Sequence, residues 1–169
     1  VYHLYMTNYL STLLDSKFMD DSVEFVQLEE SAIENASWLC QPDEKILPFG
    51  DSPPVDIIRR ADFPLNKVNE KPVPLESFKY FDEGGLVIHS SYSDDGVSSG
   101  YLAFSAAFHS RQHKHADDFN FQLFHDGQGI FTDAGTFTYQ YDLEERMFIE
   151  STRAHNTVEI DGNNYSRYL

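Results

Sequence analysis

A single cysteine, Cys40, stands in the whole sequence, so no disulfide can form within the chain, and cysteine usage leaves the redox compartment undecided. Basic residues are scarce. Twelve lysines and arginines against 28 aspartates and glutamates give a formal charge of -16, which repels phosphate backbones and anionic membrane surfaces at long range. Nucleic acid is therefore not an expected partner. No apolar run approaches membrane-spanning length, so no membrane insertion is expected, and no secretory leader is visible. The chain opens Val1-Tyr2-His3 without an initiator Met, and Asn164 to Leu169 carries no terminating turn, so both ends read as cuts inside a longer protein. Glycine is sparse too: 9 glycines against 14 Phe and 10 Tyr favour ring-bearing layers over linker, and those aromatics suit strands. With 41% hydrophobic residues, the chain can form one sizeable core or two small ones.

What is present divides the chain in three. From Tyr2 to Leu14 the residues Tyr2, Met6, Tyr9, Leu10, Leu13 and Leu14 recur at three- and four-residue steps, which predicts a helix with one buried face. A second helix is expected from a cap at Asp21 or Ser22, through Val26, Ala32, Ile33 and Ala36, to about Leu39. Trp38 reads as helix packing rather than as a sugar platform. Two helices joined by a short loop form an antiparallel pair that cannot close a core alone. Prolines crowd between Pro42 and Pro74, which excludes a helix interior or a central strand and marks a boundary: residues 1–48 helical, 49–74 linker, 75–169 β. Beyond it, turn signals recur at Glu83-Gly84-Gly85, Asp94-Asp95-Gly96, Asp126-Gly127-Gln128-Gly129 and Asp161-Gly162. Strands are expected at Phe78–Phe81, Leu86–Tyr92, Tyr101–Phe108, Phe119–His125, Ile130–Asp133 and Thr157–Ile160. The fold class is α+β: a helical pair followed by an antiparallel β-sandwich.

The chemistry concentrates after His113. His113 and His115 stand two apart, so on an extended strand both imidazoles project from one side. Asp133 ends the strand after a hairpin, and His155 opens a later segment. A nitrogen, oxygen, nitrogen set with an open position suits Zn²⁺, and the ligand types do not exclude Mn²⁺ or Fe²⁺. Taken alone, a His-x-His pair is equally a surface or hydrogen-bonded feature. Asp117 and Asp118 are adjacent carboxylates beside a turn, and Asp118 reads as a structural hydrogen-bond acceptor.

The segments His113–Tyr139 and Arg146–Gly162 together resemble the sandwich domain of the heparinase II/III family of polysaccharide lyases. The shared pattern is a His-x-His-x-x-Asp opening, here His113, His115 and Asp118; an Asp-x-Gly-x-x-x-Tyr turn, here Asp133, Gly135 and Tyr139; then Arg146; and a Ser-Thr-x-x-His-Asn-Thr-Val run, here Ser151 to Val158. The helical pair and the Phe49-Gly50-Asp51-Ser52 stretch agree in character with the end of that family's helical toroid. The resemblance implies that His115, Asp133 and His155 hold a zinc ion that staples the sandwich and shapes the cleft wall. It implies that His113 faces substrate and that Tyr139 and Arg146 lie near the cleft, positions where a packed ring and a salt-bridged guanidinium would serve equally. Asn156 beside His155 reads as support for the site or as a strand-end cap.

Such lyases act on acidic, uronate-bearing polysaccharides. They remove the C5 proton alpha to the carboxylate and expel the oxygen at C4, which needs charge neutralisation, a base and an acid. In the family the principal Tyr and an Asn-His pair come from the toroid. Most of that domain is missing from this chain, which is expected to be inactive alone. The resemblance also suggests a periplasmic or cell-surface setting in bacteria. Two other readings fit parts of the sequence: a non-haem Fe(II) dioxygenase using His115, Asp117 and His155, and a non-catalytic carbohydrate-binding sandwich stapled by zinc.

Overall fold

The computed structural model of the chain describes residues 2–17, 22–43, 45–53, 77–82, 85–92, 98–106 and 113–164. The Asp94-Asp95-Gly96 turn and most of the proline-rich stretch lie outside the described residues. Two compact units emerge, one comprising Val1–Ile46 and Val55–Leu75, the other Leu47–Pro54 and Glu76–Leu169.

The first unit contains helices α1 (Tyr2–Asp15) and α2 (Val23–Trp38). Ser22 caps α2, its hydroxyl accepting from the Phe25 amide at 3.4 Å, and Glu24 places negative charge at the positive end of the dipole. At the far end of α1, Lys17 adopts a left-handed φ of 54° and ends the helix. His3 Nε2 meets the Ala32 carbonyl at 2.8 Å, so the start of α1 lies beside the latter half of α2. Leu4, Ile33, Ala36 and Ile46 form the buried cluster, with Leu39 and Cys40 against it. Burial pushes the Cys40 thiol up to about 12, which keeps it protonated and unreactive. The expected apolar stripe of α1 is only partly buried: Met6 is 68% and Tyr9 61% exposed, and with Leu13 and Leu28 they line an open apolar groove. Two helices have too little facing surface to cover that stripe.

The second unit is built on an antiparallel meander of strands β1 (Phe78–Phe81), β2 (Leu86–Tyr92), β3 (Ser98–Ser105), β4 (Phe121–His125) and β5 (Gln128–Phe131), in that spatial order. Asp126 and Gly127 close the β4–β5 hairpin with φ of 46° and 74°, the two-residue turn that an Asp-Gly pair favours. One face is buried in two cross-strand rows, Ile88, Ala103 and Gln122 in one and Ser90, Tyr101 and Phe124 in the other. The polar member, Gln122, donates through Nε2 to the Pro48 carbonyl at 3.2 Å. That bond ties the Leu47–Pro53 segment to the sheet and fixes where Asp51 will stand.

After β5 the chain differs from expectation. The predicted strand Thr157–Ile160 is reduced to an isolated bridge between Ile160 and Asn163. Before it lie a short helix α3 (Glu144–Ile149) and a 3-10 turn (Thr152–Ala154). Glu144 and Glu145 in the first turn of α3 suit its dipole. Among the described residues there is one five-stranded sheet, and no helix is long and apolar enough to cross a membrane.

Candidate functional site

The site forms where three segments of the second unit meet: the loop at Gly50-Asp51, the run His113–Asn120 before β4, and the stretch Asp133–Asn156 after β5. Gly50 has a φ of +55°, and a Cβ there would collide with the His113 carbonyl oxygen. Only glycine fits so close a backbone approach. The next amide, Asp51 N, donates to that same carbonyl at 3.1 Å. The His-x-His run is not a strand here, and His113 itself takes a left-handed φ of 59°. The two imidazoles nevertheless converge, because both reach Asp51. His113 Nδ1 is 3.0 Å from Asp51 Oδ2, and His115 Nε2 is 2.9 Å from Asp51 Oδ1. The His115 side chain is fully buried, whereas that of His113 is 44% exposed.

His155 follows the 3-10 turn and is also buried. Its Nδ1 lies 2.7 Å from Asp133 Oδ2, and its ring centroid is 5.3 Å from that of His115. Asp133 is held on every side: Oδ1 accepts from the Gly135 amide at 2.7 Å and Oδ2 from Asn120 Nδ2 at 2.6 Å. Asn120 Oδ1 in turn accepts the Asn156 amide at 3.1 Å. Asn156 Nδ2 donates to the carbonyls of Phe121 and Thr132, both at 3.0 Å, and so joins the start of β4 to the residue after β5.

Each buried histidine thus has one ring nitrogen on a carboxylate and the other, His115 Nδ1 or His155 Nε2, buried without a hydrogen-bond partner. A carboxylate only accepts, so the bonded nitrogen carries the proton and the opposite one presents its lone pair. A buried imidazole backed by a carboxylate, with its other nitrogen unpartnered, is the arrangement found behind metal-binding histidines, and two such rings stand side by side here. Desolvation lowers the His115 pKa, against the opposing hydrogen bond to Asp51, and favours the neutral, ligand-competent ring. Asp133 stands on His155. Among the described residues, the metal-capable trio whose ligand atoms all lie within 4.8 Å of one another is Asp51, His115 and Glu150, not His115, Asp133 and His155. That trio already surrounds a cation.

The cation is Arg146, 1% exposed. Its guanidinium lies 2.6 Å from Asp51 Oδ1 and 2.5 Å from Glu150 Oε1, and NH1 donates to Thr136 Oγ1 at 3.0 Å. The rings of Tyr139 and Tyr141 cover it at 5.9 and 5.3 Å. Tyr139 also meets His113 edge-on at 6.3 Å. The residues expected near the cleft, His113, Tyr139 and Arg146, therefore share one neighbourhood, with the tyrosines half exposed and the arginine beneath them. Desolvation raises the Asp51 pKa, but hydrogen bonds from His115, Arg146 and His113 outweigh it and hold the carboxyl below its ordinary value. Asp117, the carboxylate of the iron reading, is engaged by Lys114, which also pairs with Asp118 at 2.9 Å.

Sequence reasoning missed Asp51, Asn120 and Glu150. Asp51 lies 62 residues before His113, beyond the reach of any spacing rule, and its one signal was the Phe49-Gly50-Asp51-Ser52 stretch. Asn120 carried none.

Comparison with known proteins bears on the fold. Residues 73–169 match the family model described as heparinase II/III-like, C-terminal. Among solved structures, a mutant of the heparan sulfate lyase HepC from Pedobacter heparinus superposes with a TM-score of 0.77 at 21% identity, over 96% of this chain and 29% of that one. A heparinase III gene product gives 0.78 at 19% identity, with the same shares of each chain. A further heparinase III gives 0.75 at 16% identity, over 96% of this chain and 31% of that one. The chain thus spans less than a third of the length of these structures. No curated protein matches it.

Proposed function

The chain belongs to the heparinase II/III-like family, and from that premise we propose that it supplies the metal site and one active-site wall of a polysaccharide lyase that cleaves uronic-acid-containing glycans by β-elimination. The observation that carries this reading is the pair of buried imidazoles, His115 and His155, whose unpartnered nitrogens belong to rings 5.3 Å apart. Zn²⁺ is the cation that two neutral imidazoles and a carboxylate favour, with His115 and His155 as nitrogen donors and Asp133, which would turn away from His155 Nδ1 to reach the ion, as the carboxylate. When bound, the ion supplies positive charge and cross-links the segments before β4 and after β5. The rest of the work is done by the chain's own groups. His113, half exposed and held by Asp51, faces the uronate, where it offsets carboxylate charge or accepts a proton. Tyr139 offers an exposed ring beside it, and the buried Arg146 holds that ring in place from below.

In the reaction the C5–H bond breaks, its electron pair forms the C4=C5 double bond, and the C4–O bond breaks with protonation of the departing oxygen. By the family resemblance, the groups that complete this step belong to a helical domain of which this chain carries a helical pair, so the chain alone is expected to be inactive. Metal analysis of the purified protein tests the reading. Near-stoichiometric zinc, lost in Asp133→Ala and retained in Asp117→Ala, is expected; the opposite pattern overturns the ligand set. In the full-length protein, acidic glycans should yield the ultraviolet absorbance of an unsaturated uronate. No such rise across a broad glycan panel would leave a binding module rather than a lyase.

A further inference from the structure

One carboxylate in the second unit touches both members of the His-x-His pair. We propose that Asp51 is a positioning residue that sorts the two imidazoles into different tautomers, committing His115 to the buried metal position and His113 to the substrate side. The use made of the rings rests on the lyase reading; the sorting does not.

The geometry is asymmetric in a way that matters. Asp51 Oδ1 faces His115 Nε2 at 2.9 Å and also the Arg146 guanidinium at 2.6 Å, whereas Oδ2 faces His113 Nδ1 at 3.0 Å. An ionised carboxylate accepts at both oxygens, so His115 carries its proton on Nε2 and His113 on Nδ1. The lone pair of His115 is thereby placed on Nδ1, the buried atom without a partner on the ring beside His155. The lone pair of His113 falls instead on Nε2, the far end of a half-exposed ring. Free histidine prefers the Nε2–H form, so His113 is held in the less common tautomer. The loop is anchored well enough to enforce this. Asp51 N is bonded to the His113 carbonyl, Gly50 packs on that carbonyl with no room for a Cβ, and the Gln122 bond to Pro48 fixes the loop to the sheet. The Asp51 side chain is itself 2% exposed, so water does not compete for its oxygens.

The substitution Asp51→Asn distinguishes sorting from mere structural support. Arg146 is a pure donor, so the introduced carboxamide must turn its carbonyl oxygen to the Arg146 and His115 side and its amide to His113. His113 Nδ1 then meets a donor and must give up its proton, while His115 is unaffected. Two-bond proton–nitrogen correlation spectra of the histidine-labelled chain, recorded at about pH 8 where ordinary histidines are neutral, read this directly. The wild type should show His113 as Nδ1–H and His115 as Nε2–H; Asp51→Asn should convert His113 to Nε2–H and leave His115 unchanged. A wild-type His113 in the Nε2–H form overturns the proposal even if the variant fails to fold, and so does a folded Asp51→Asn whose His113 keeps its proton on Nδ1. In a separate measurement, Asp51→Ala should weaken zinc binding about 10- to 100-fold, the usual effect of losing a carboxylate behind a metal-binding histidine. Unchanged zinc affinity removes the metal half of the proposal. If the wild type binds no zinc yet shows the two tautomers, the lyase-wall reading fails and the sorting stands.

Discussion

Replacing Arg146 with methionine isolates the buried charge that Asp51 and Glu150 share. Methionine keeps most of the apolar stem beneath Tyr139 and Tyr141 but removes the charge shared by Asp51 and Glu150. Both carboxylates are nearly fully buried, so water cannot take the place of the guanidinium without opening the site. Removing one partner from a buried ion pair costs about 3–5 kcal/mol, because the remaining charge stays desolvated. For a chain of this length that corresponds to a fall in Tm of roughly 6–20 °C. Urea titration followed by circular dichroism measures the loss. A second substitution, Glu150→Gln in the Arg146→Met background, should recover part of it by removing one unpaired charge.

The same variant carries a sharper consequence. With Arg146 gone, Asp51, His115 and Glu150 present ligand atoms within 4.8 Å of one another and nothing cationic among them. Zinc should then stabilise Arg146→Met more than it stabilises the wild type, by a further ~2.7 kcal/mol at a hundredfold excess over Kd. A variant within about 1 kcal/mol of the wild type, with no extra response to zinc, would refute the view that the guanidinium is the cation of this cluster.

Two further perturbations follow from the same geometry. Gly50→Ala drives a Cβ into the His113 carbonyl at a φ of +55°, so strain and overpacking together should cost about 2–5 kcal/mol, read as a lower urea midpoint with an unchanged slope. The acid side of the stability profile has a definite sign. The folded His115 has a lowered pKa, so below about pH 6.5 the unfolded chain binds a proton that the native one refuses, and stability should fall as pH drops from there toward the folded value. Asp51, also lowered, holds its contribution until pH falls below the ordinary carboxylate range. Stability that stays flat between about pH 7 and 5 would contradict the burial of a neutral His115.

The local elements were the legible part of the fold. Ser22 before an apolar-periodic run, the Asp126-Gly127 pair between alternating strands, and the succession of short β segments each carry a mechanism that operates within a few residues. Helix α3 was not legible, because Leu143 offers no capping side chain and six residues show too little periodicity. In the site, neighbourhood was readable from the ordered motifs, but partnership was not. The run at His113 was expected to face one way by strand alternation; it does so instead because Asp51 reaches in from a segment far away in sequence. Asn120 holds Asp133 and Asn156 together at zero exposure, yet in the sequence it falls inside the predicted strand Phe119–His125, where nothing marks it off from an ordinary strand residue.

Charge poses the remaining problem, since a chain of formal charge -16 is an awkward host for an acidic glycan. The site does not escape the imbalance: Asp51 and Glu150 flank Arg146, Asp117 and Asp118 flank Lys114, Asp133 stands on His155, and with neutral histidines these groups sum to three negative charges. Both cations are already shared between two carboxylates each, so neither offers an uncompensated charge to a uronate. A divalent ion between His115 and His155 would cancel two of the three. For a sugar carboxylate about 8 Å away in a water-like dielectric, two unit charges are worth about 1 kcal/mol, or about fivefold in affinity. Zinc loading should therefore tighten binding of an acidic oligosaccharide by at least about that factor at low salt, with the gain fading as the screening length shrinks below about 8 Å near 0.15 M ionic strength. A neutral oligosaccharide of the same length should not respond. If titration calorimetry finds equal gains for both sugars, zinc acts by ordering the wall and not by its charge, and the electrostatic account of substrate admission is wrong.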